Sequence, residues 1–328
     1  MNAAIYTRYG PPEVVRVAEI ETPTPEDDEV RIRIIATTVA AVDAIFRRGD
    51  QKMARMFTGL FRPKRPVLGS EIAGVVDAAG AKVTRFRVGD AVFASSAGFG
   101  AHAGYICLSE NGAVAPKPAN LSFDEAAAMV DGALTALPFL RDSAALQAGQ
   151  TVLVNGAAGS VGSAAVQLAK HFGATVTGVC STANVALVQD LGADAVVDYT
   201  REDFTRAGIQ YDVIFDAVGK SSFGRCRSAL TATGLYMTTV LSWSIVRDLL
   251  RTAVGGGRRA AFTATGARPA AARGADLAFV KELAEAGSLR PVIDRRFPLV
   301  EIAAAHAHVD GGHKRGNVVI TVPPPTPS

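Results

Sequence analysis

The stretch TVLVNGAAGSVGSAAVQLAKHFGATVTGVCS, residues 151–181, constrains this chain more than any other. A β-branched run is followed by three glycines at three-residue spacing, Gly156, Gly159 and Gly162. An apolar run at helical spacing and a second β-branched run complete it. The order strand, glycine loop, helix, strand is the context in which such glycines carry meaning. Glycine permits the tight turn and lets backbone N–H groups approach a pyrophosphate. The helix opening near Ser160 adds its positive N-terminal end. The expected cradle is Asn155, Gly156, Ala158, Gly159, Ser160, Val161 and Gly162. The plainer alternative is that small residues only allow close helix–sheet packing; the complete βαβ unit argues for a bound dinucleotide.

The pattern around this loop alternates in the same way. NVALVQDLG and SSFGRCRSAL read as helices, and AVVDY, YDVIFDAVG, LYMTTV and AAFTATG as strands. In the first helix Val161, Ala165, Leu168 and Phe172 form one buried face. Gly173 and Gly192 stand where residues just past a helix end belong. Such alternation predicts a doubly wound parallel sheet. The first ~120 residues are instead rich in short β-branched runs (AAIYTRYG, VVRVAEI, EVRIRIIATTVA, AGVVDAAG, RVGDAVFA) punctuated by Pro and Gly. At Ser122 and Glu125 a capping-box pattern opens the helix SFDEAAAMVDGALTALPFL. After residue 268 the alternation stops. Two helices, DLAFVKELAEAG and PLVEIAAAHAHV, precede a last strand, GNVVITV, and a frayed tail, PPPTPS. The expected division is 1–122 with 269–328 as a β-rich domain and 123–268 as a Rossmann domain.

Composition removes several classes of function. A chain of 328 residues suggests about two domains. A formal charge of +3 argues for no nucleic acid. No run of ~18 apolar residues exists, and the N-terminus has no apolar signal core, so neither a membrane span nor secretion is expected. Cys107, Cys180 and Cys226 are far apart and odd in number, which fits a reducing cytoplasm and excludes a CxxC metal lobe.

The stretch VLVNGAAGSVG…AVQLAKHFGA, with LGADAVVDY, YDVIFDAVG, PVLGSEIAGVVDAAG, RFRVGDAVFA, GALTAL and GNVVITV, resembles the medium-chain dehydrogenase/reductase superfamily, and within it the zinc-independent quinone oxidoreductase (ζ-crystallin-like) branch. The resemblance runs over nearly the whole chain. It implies an α/β architecture: a GroES-like β-rich catalytic domain, a Rossmann domain with a doubly wound parallel sheet, and a cleft between them. Zinc-dependent members carry Gly-His-Glu where this chain has Gly69-Ser70-Glu71, and a cysteine where it has Ala40. A catalytic zinc needs about three protein ligands, and two expected ones are missing, so no metal is expected. His306 and His308, two apart on a helix, are read as surface or packing residues.

The same resemblance makes Asp43 a catalytic-cleft residue, places Thr135 near the cofactor, and puts Tyr199 in the pocket for a 2′-phosphate. The usual asparagine is replaced by Ala40. Val218, Gly219 and Thr239 fall at strand ends, where ligands sit in such sheets. The second strand ends at Cys180 without the carboxylate of an NAD site. Ser181, Thr182 and Asn184 instead offer donors to a phosphate, and Arg315 is the substitute for a basic residue that relatives carry at Ala183. NADPH with a moderate preference over NADH is the expectation. Tyr105, His102 and Tyr9 are the candidate proton donors. Met53, Met56, Phe57, Leu60 and Phe61, with Arg47, Arg48, Lys52, Arg55, Arg62, Lys64 and Arg65, suggest either a solvated flap or a lid for a hydrophobic substrate.

Loss of a Lewis acid disfavours simple alcohol oxidation. The expected activity is hydride transfer from NADPH to a quinone or an α,β-unsaturated carbonyl. An enoyl reductase of a biosynthetic pathway and a non-catalytic dinucleotide-binding adaptor stand as alternatives. A homodimer is expected through AAFTATG as the open edge of the sheet.

Overall fold

The computed structural model describes residues 1–50, 55, 59–253, 255 and 257–324. These divide into two compact units. One comprises Met1–Asp131, Ala267–Gly287 and Pro291–Ser328; the other comprises Gly132–Gly266 and Ser288–Arg290.

The first unit opens with β1 (Asn2–Ile5) and β2 (Arg16–Glu19), an antiparallel pair. The long β3 (Glu29–Val39) buries Val30, Ile32 and Ile34 on one face, the period-2 signature of a sheet with one covered side. Helix α1 (Ala41–Arg48) follows directly and ends at Gly49, whose φ of 61° is left-handed. Antiparallel pairing continues through β4 (Glu71–Ala79), β5 (Ala91–Ser95), β6 (Tyr105–Ser109) and β7 (Val114–Pro116), with β6 also on β3. Helix α2 (Phe123–Leu137) begins where the capping box predicts: Ser122 Oγ accepts from Glu125 N at 3.3 Å and Glu125 Oε2 accepts from Ser122 N at 2.8 Å.

The second unit holds β8 (Thr151–Asn155), α3 (Ser160–His171), β9 (Thr175–Cys180), α4 (Val185–Asp190), β10 (Ala195–Asp198), β11 (Tyr211–Asp216), α5 (Phe223–Cys226), β12 (Leu230–Thr238), α6 (Trp243–Thr252) and β13 (Arg259–Ala261). All six strands are parallel, in the order β10-β9-β8-β11-β12-β13. Counted along the chain that is 3-2-1-4-5-6, the order of a doubly wound dinucleotide-binding sheet. Gly173 and Gly192 have φ of 80° and 99°, as positions past a helix end require. Leu153, Val179, Ile214 and Tyr236 pack in its core.

Some elements depart from the sequence reading. Helix α6 was not expected. Ser242 caps it, accepting from Ile245 N at 3.3 Å, but Trp243 and Leu250 point outward at 85% and 75% exposure and blur the apolar period. The strand expected over AAFTATG is short, Arg259–Ala261, and it does lie at the edge of the sheet. Part of the glycine turn before it lies outside the described residues.

The chain ends with α7 (Ala270–Glu285), β14 (Ile293–Pro298), α8 (Ile302–Asp310) and β15 (Asn317–Thr321), all in the first unit. β15 pairs antiparallel with β3 and β14 pairs parallel with β15, giving the order β14-β15-β3-β4-β5-β7. β14 was also missed. Its Asp294, Arg295 and Arg296 break the apolar run of a buried strand, but it is a terminal strand, where charge is tolerated and guards an open edge. Most of the tail expected to fray, residues 325–328, lies outside the described residues.

Candidate dinucleotide site

The glycine loop leaves the carboxyl end of β8 at the point where strand order reverses, between β8 and β11. Ligands of open α/β sheets bind at that point. Each glycine has its own task. Gly156 adopts φ of 81°, and a Cβ there would strike Val218. A Cβ on Gly162 would run into the carbonyl of Gly156, so only glycine lets α3 lie this close to the loop. A Cβ on Gly159 would meet nothing nearer than Gly156 O at 3.5 Å. Among the described residues nothing blocks a side chain at Gly159, which leaves that face of the loop open. Asn155, Ala158 and Ser160 are buried around it. Gly156 N and Ala157 N both donate to Val179 O at 3.0 Å, which folds the loop back over the carboxyl end of β9. The first N–H groups of α3 have no earlier turn to bond to, which makes a helix start of this kind suited to an anion.

At the ends of β9 and β10, Ser181 Oγ accepts from Asn184 Nδ2 at 3.1 Å. Thr182 Oγ1 donates to Asp198 Oδ2 at 2.5 Å, and Thr200 Oγ1 donates to Asp198 Oδ1 at 2.7 Å. Tyr199 is 56% exposed beside them. Val218, Gly219 and Thr239 lie at the ends of β11 and β12, and Thr239 N donates to Asp216 O at 3.2 Å. Thr135 is on α2, one turn from Gly132, whose missing side chain lets α2 approach Ser160. The fold therefore gathers every expected cofactor residue in one unit except Arg315, an exposed residue between α8 and β15 of the other unit.

Asp216 was not singled out from the sequence. It is fully buried and accepts from Asn155 Nδ2 at 3.0 Å, Gly219 N at 3.0 Å, Val218 N at 3.3 Å, Ser221 N at 2.8 Å and Tyr236 Oη at 3.1 Å. Burial, then the Asp216 charge, raises the Tyr236 phenol far above its usual value. The available signal was a carboxylate closing an apolar strand directly before a glycine-containing turn.

In the first unit, Asp43 and His102 belong to one buried knot. Asp43 accepts from Ala40 N at 2.8 Å and Gly69 N at 3.0 Å, capping α1 and pinning the Gly69 turn. A Cβ on Gly69 would enter the His102 ring. His102 Nε2 bonds Thr38 O at 2.8 Å, and Thr38 Oγ1 donates to Glu71 Oε2 at 2.7 Å. Burial raises the pKa of both carboxyls. For Glu71 the rise is large, and the charges of Asp131 and Asp43 add to it. Glu71 was missed as a residue with its own chemistry, although it is the one charge in LGSEIAG.

Tyr105 is not part of this knot. It sits on β6 opposite Arg33, with the Arg31 guanidinium 5.4 Å above its ring. Tyr9 Oη donates to Gly59 O at 2.5 Å. His306 is fully buried edge-on to His102 at 5.8 Å, and His308 Nε2 is 2.6 Å from Asp294, so both are packing residues. Of the expected lid, Lys52, Met53, Met56 and Phe57 lie outside the described residues; Leu60 and Phe61 are exposed. Arg47 corrects that grouping: it is wholly buried on α1 and pairs with Asp310 at 2.5 Å, while Arg48 reaches the same carboxylate at 2.7 Å.

Residues 26–119 match the alcohol dehydrogenase GroES-like domain and residues 191–320 the zinc-binding dehydrogenase family. A 2-methylene-furan-3-one reductase of Solanum lycopersicum is 32% identical over 98% of this chain and 79% of its own length. The chain belongs to the medium-chain dehydrogenase/reductase superfamily. A chloroplastic NADPH-dependent alkenal/one oxidoreductase of Arabidopsis thaliana is 31% identical over 98% of this chain and 79% of its own. The solved quinone oxidoreductase from Coxiella burnetii superposes with a TM-score of 0.86 at 29% identity, covering 98% of this chain and 99% of that one. The superfamily's zinc does not fit this donor set: Ala40 and Ser70 offer no ligand, and among the described residues no three His, Cys, Asp or Glu side chains are grouped to hold a metal ion.

Proposed function

We propose that this protein is a zinc-independent, NADPH-dependent oxidoreductase that reduces a quinone or an α,β-unsaturated carbonyl. The observation that carries the reading is the glycine cradle at the switch point. Gly159 is open where Gly156 and Gly162 are walled in, which suits a pyrophosphate lying against Gly159. Bound NADPH supplies a hydride to the β-carbon of the acceptor. The names of the alkenal/one and quinone oxidoreductase relatives support that acceptor class. The empty zinc donor set supports a reaction whose developing oxyanion is met by hydrogen-bond donors rather than a metal.

Within this reading, residues 123–268 hold the cofactor, and 1–122 with 269–328 supply the catalytic domain. Asp43 and His102 act by holding the Gly69 turn and the end of β3, since both Asp43 oxygens and His102 Nε2 are engaged with backbone. Tyr105 is the candidate proton donor. Ser181, Asn184 and Tyr199 receive the 2′-phosphate. The protein works in the cytoplasm as a homodimer joined at the β13 edge.

The test is nicotinamide oxidation against a panel of small quinones, enones and enoyl thioesters, with metal analysis and light scattering on the same sample. Turnover of a quinone or enone by metal-free dimer is the expected result. Stoichiometric zinc with activity lost to a chelator would end the zinc-independent reading. Tight NADPH binding with no turnover would make the chain an adaptor instead.

A further inference from the structure

We propose that Asp216 is a positioning residue that sets the distance between the pyrophosphate cradle and the wall formed by Val218 and Gly219. This rests on the reading of Gly156–Gly162 as a dinucleotide cradle. The carboxylate ties three segments together. Oδ1 takes Asn155 Nδ2 at 3.0 Å, from the last residue before the glycine loop, and Gly219 N at 3.0 Å. Oδ2 takes Ser221 N at 2.8 Å and Tyr236 Oη at 3.1 Å, from β12. Gly219 has φ of 65°, left-handed, which turns successive N–H groups inward on the carboxylate. Val218, held by that turn, fills the space over Gly156, so the two loops also touch. On that reading a dinucleotide would span from one loop to the other, and its adenosine end would lie toward Ser181, away from these ties.

The arrangement is expensive unless complete. A buried carboxylate is tolerated only when several donors meet it. Here they are mostly backbone N–H groups of one turn, so the charge organises a loop. In Asp216→Asn the uncharged amide accepts at one atom and repels N–H groups at the other, and the turn reorganises.

The experiment is calorimetric binding of two probes, NADPH and adenosine 2′,5′-bisphosphate, to wild type and to Asp216→Asn, with kcat and KM for NADPH. Lost hydrogen bonds to a charged group correspond to about 10- to 100-fold. Asp216→Asn should lose that much for NADPH and bind the adenosine fragment within about twofold, with kcat falling as well as KM rising. Asn155→Ala removes one tie only and carries the same test, with a smaller loss, where Asp216→Asn does not fold. Equal weakening of both probes means general structural damage and overturns the proposal, as does no change in either. A wild type that binds the fragment but neither NADPH nor NADH would overturn the cradle reading itself, and this inference with it.

Discussion

Thr182 Oγ1 donates to Asp198 Oδ2 at 2.5 Å, so the hydroxyl at the end of β9 is already engaged by a carboxylate on β10. Hydrogen bonds from Thr182 and then Thr200 hold that carboxyl below its usual pKa, and it is charged at neutral pH. A 2′-phosphate beside Ser181 therefore has one hydroxyl fewer than the residue types suggest, and a negative charge close by. Ser181 accepts from Asn184 and can still donate. NADPH preference should be moderate. Ser181→Asp adds a second negative charge and should lower kcat/KM with NADPH by about 10- to 100-fold relative to NADH. Steady-state kinetics with both cofactors checks this. A wild type favouring NADH, or an unchanged ratio in the variant, would misplace the phosphate pocket.

Gly159 and Gly162 should separate binding from stability. Gly162→Ala forces a methyl group into the Gly156 carbonyl and should lower Tm as well as cofactor affinity. Gly159→Ala finds ordinary contact at 3.5 Å and should keep its Tm while KM for NADPH rises. Thermal scans of both free proteins, with KM measured alongside, decide it. A Gly159→Ala variant with wild-type KM would leave the cradle without its ligand.

Glu71 should make the protein less stable as pH rises. Its carboxyl pKa is raised well above the usual value, first by burial and then by Asp131 and Asp43, against the Thr38 hydrogen bond. The Arg273 and Lys314 cations also face it, and burial lowers both of their pKa values. A carboxyl raised in the folded state contributes stability that is full below the unfolded value of about 4.3. That contribution is lost as pH rises through the higher folded value. Glu71→Gln carries no charge, so its Tm should fall less than that of wild type between acid and neutral pH. Parallel Tm profiles would show that Glu71 keeps an unshifted pKa.

His306 should act in the opposite direction. Burial, then His102 and Arg47, pushes its pKa down to about 2. Folded protein keeps it neutral, whereas unfolded chain takes up a proton below about pH 6.5. Stability is then lost on acidification at about 1.4 kcal/mol per pH unit in that range. Neither ring nitrogen has a protein hydrogen-bond partner, so His306→Leu forfeits none. Urea midpoints between about pH 7 and 5 should be flatter for His306→Leu. Equal slopes would mean that the folded ring is protonated.

Local pattern determined much of this protein. The spacing of Gly156, Gly159 and Gly162 between two β-branched runs specified a strand, a turn that only glycine can make, and a helix start. Ser122 and Glu125 specified a capping box. These depend on neighbours within a few residues, and sequence displays such neighbours directly. Tertiary structure decided the rest. Asp216 became a hub because Asn155, Ser221 and Tyr236 converge on it from three segments. Thr182 lost its hydroxyl to Asp198 because β9 and β10 pair with Cys180 opposite Asp198. Arg47, one of a run of basic residues in sequence, was buried by an ion pair with Asp310, 263 positions away. A charge read along the chain looks solvated. What it meets after folding is set by which strands pair and which helices pack, and no local period records that.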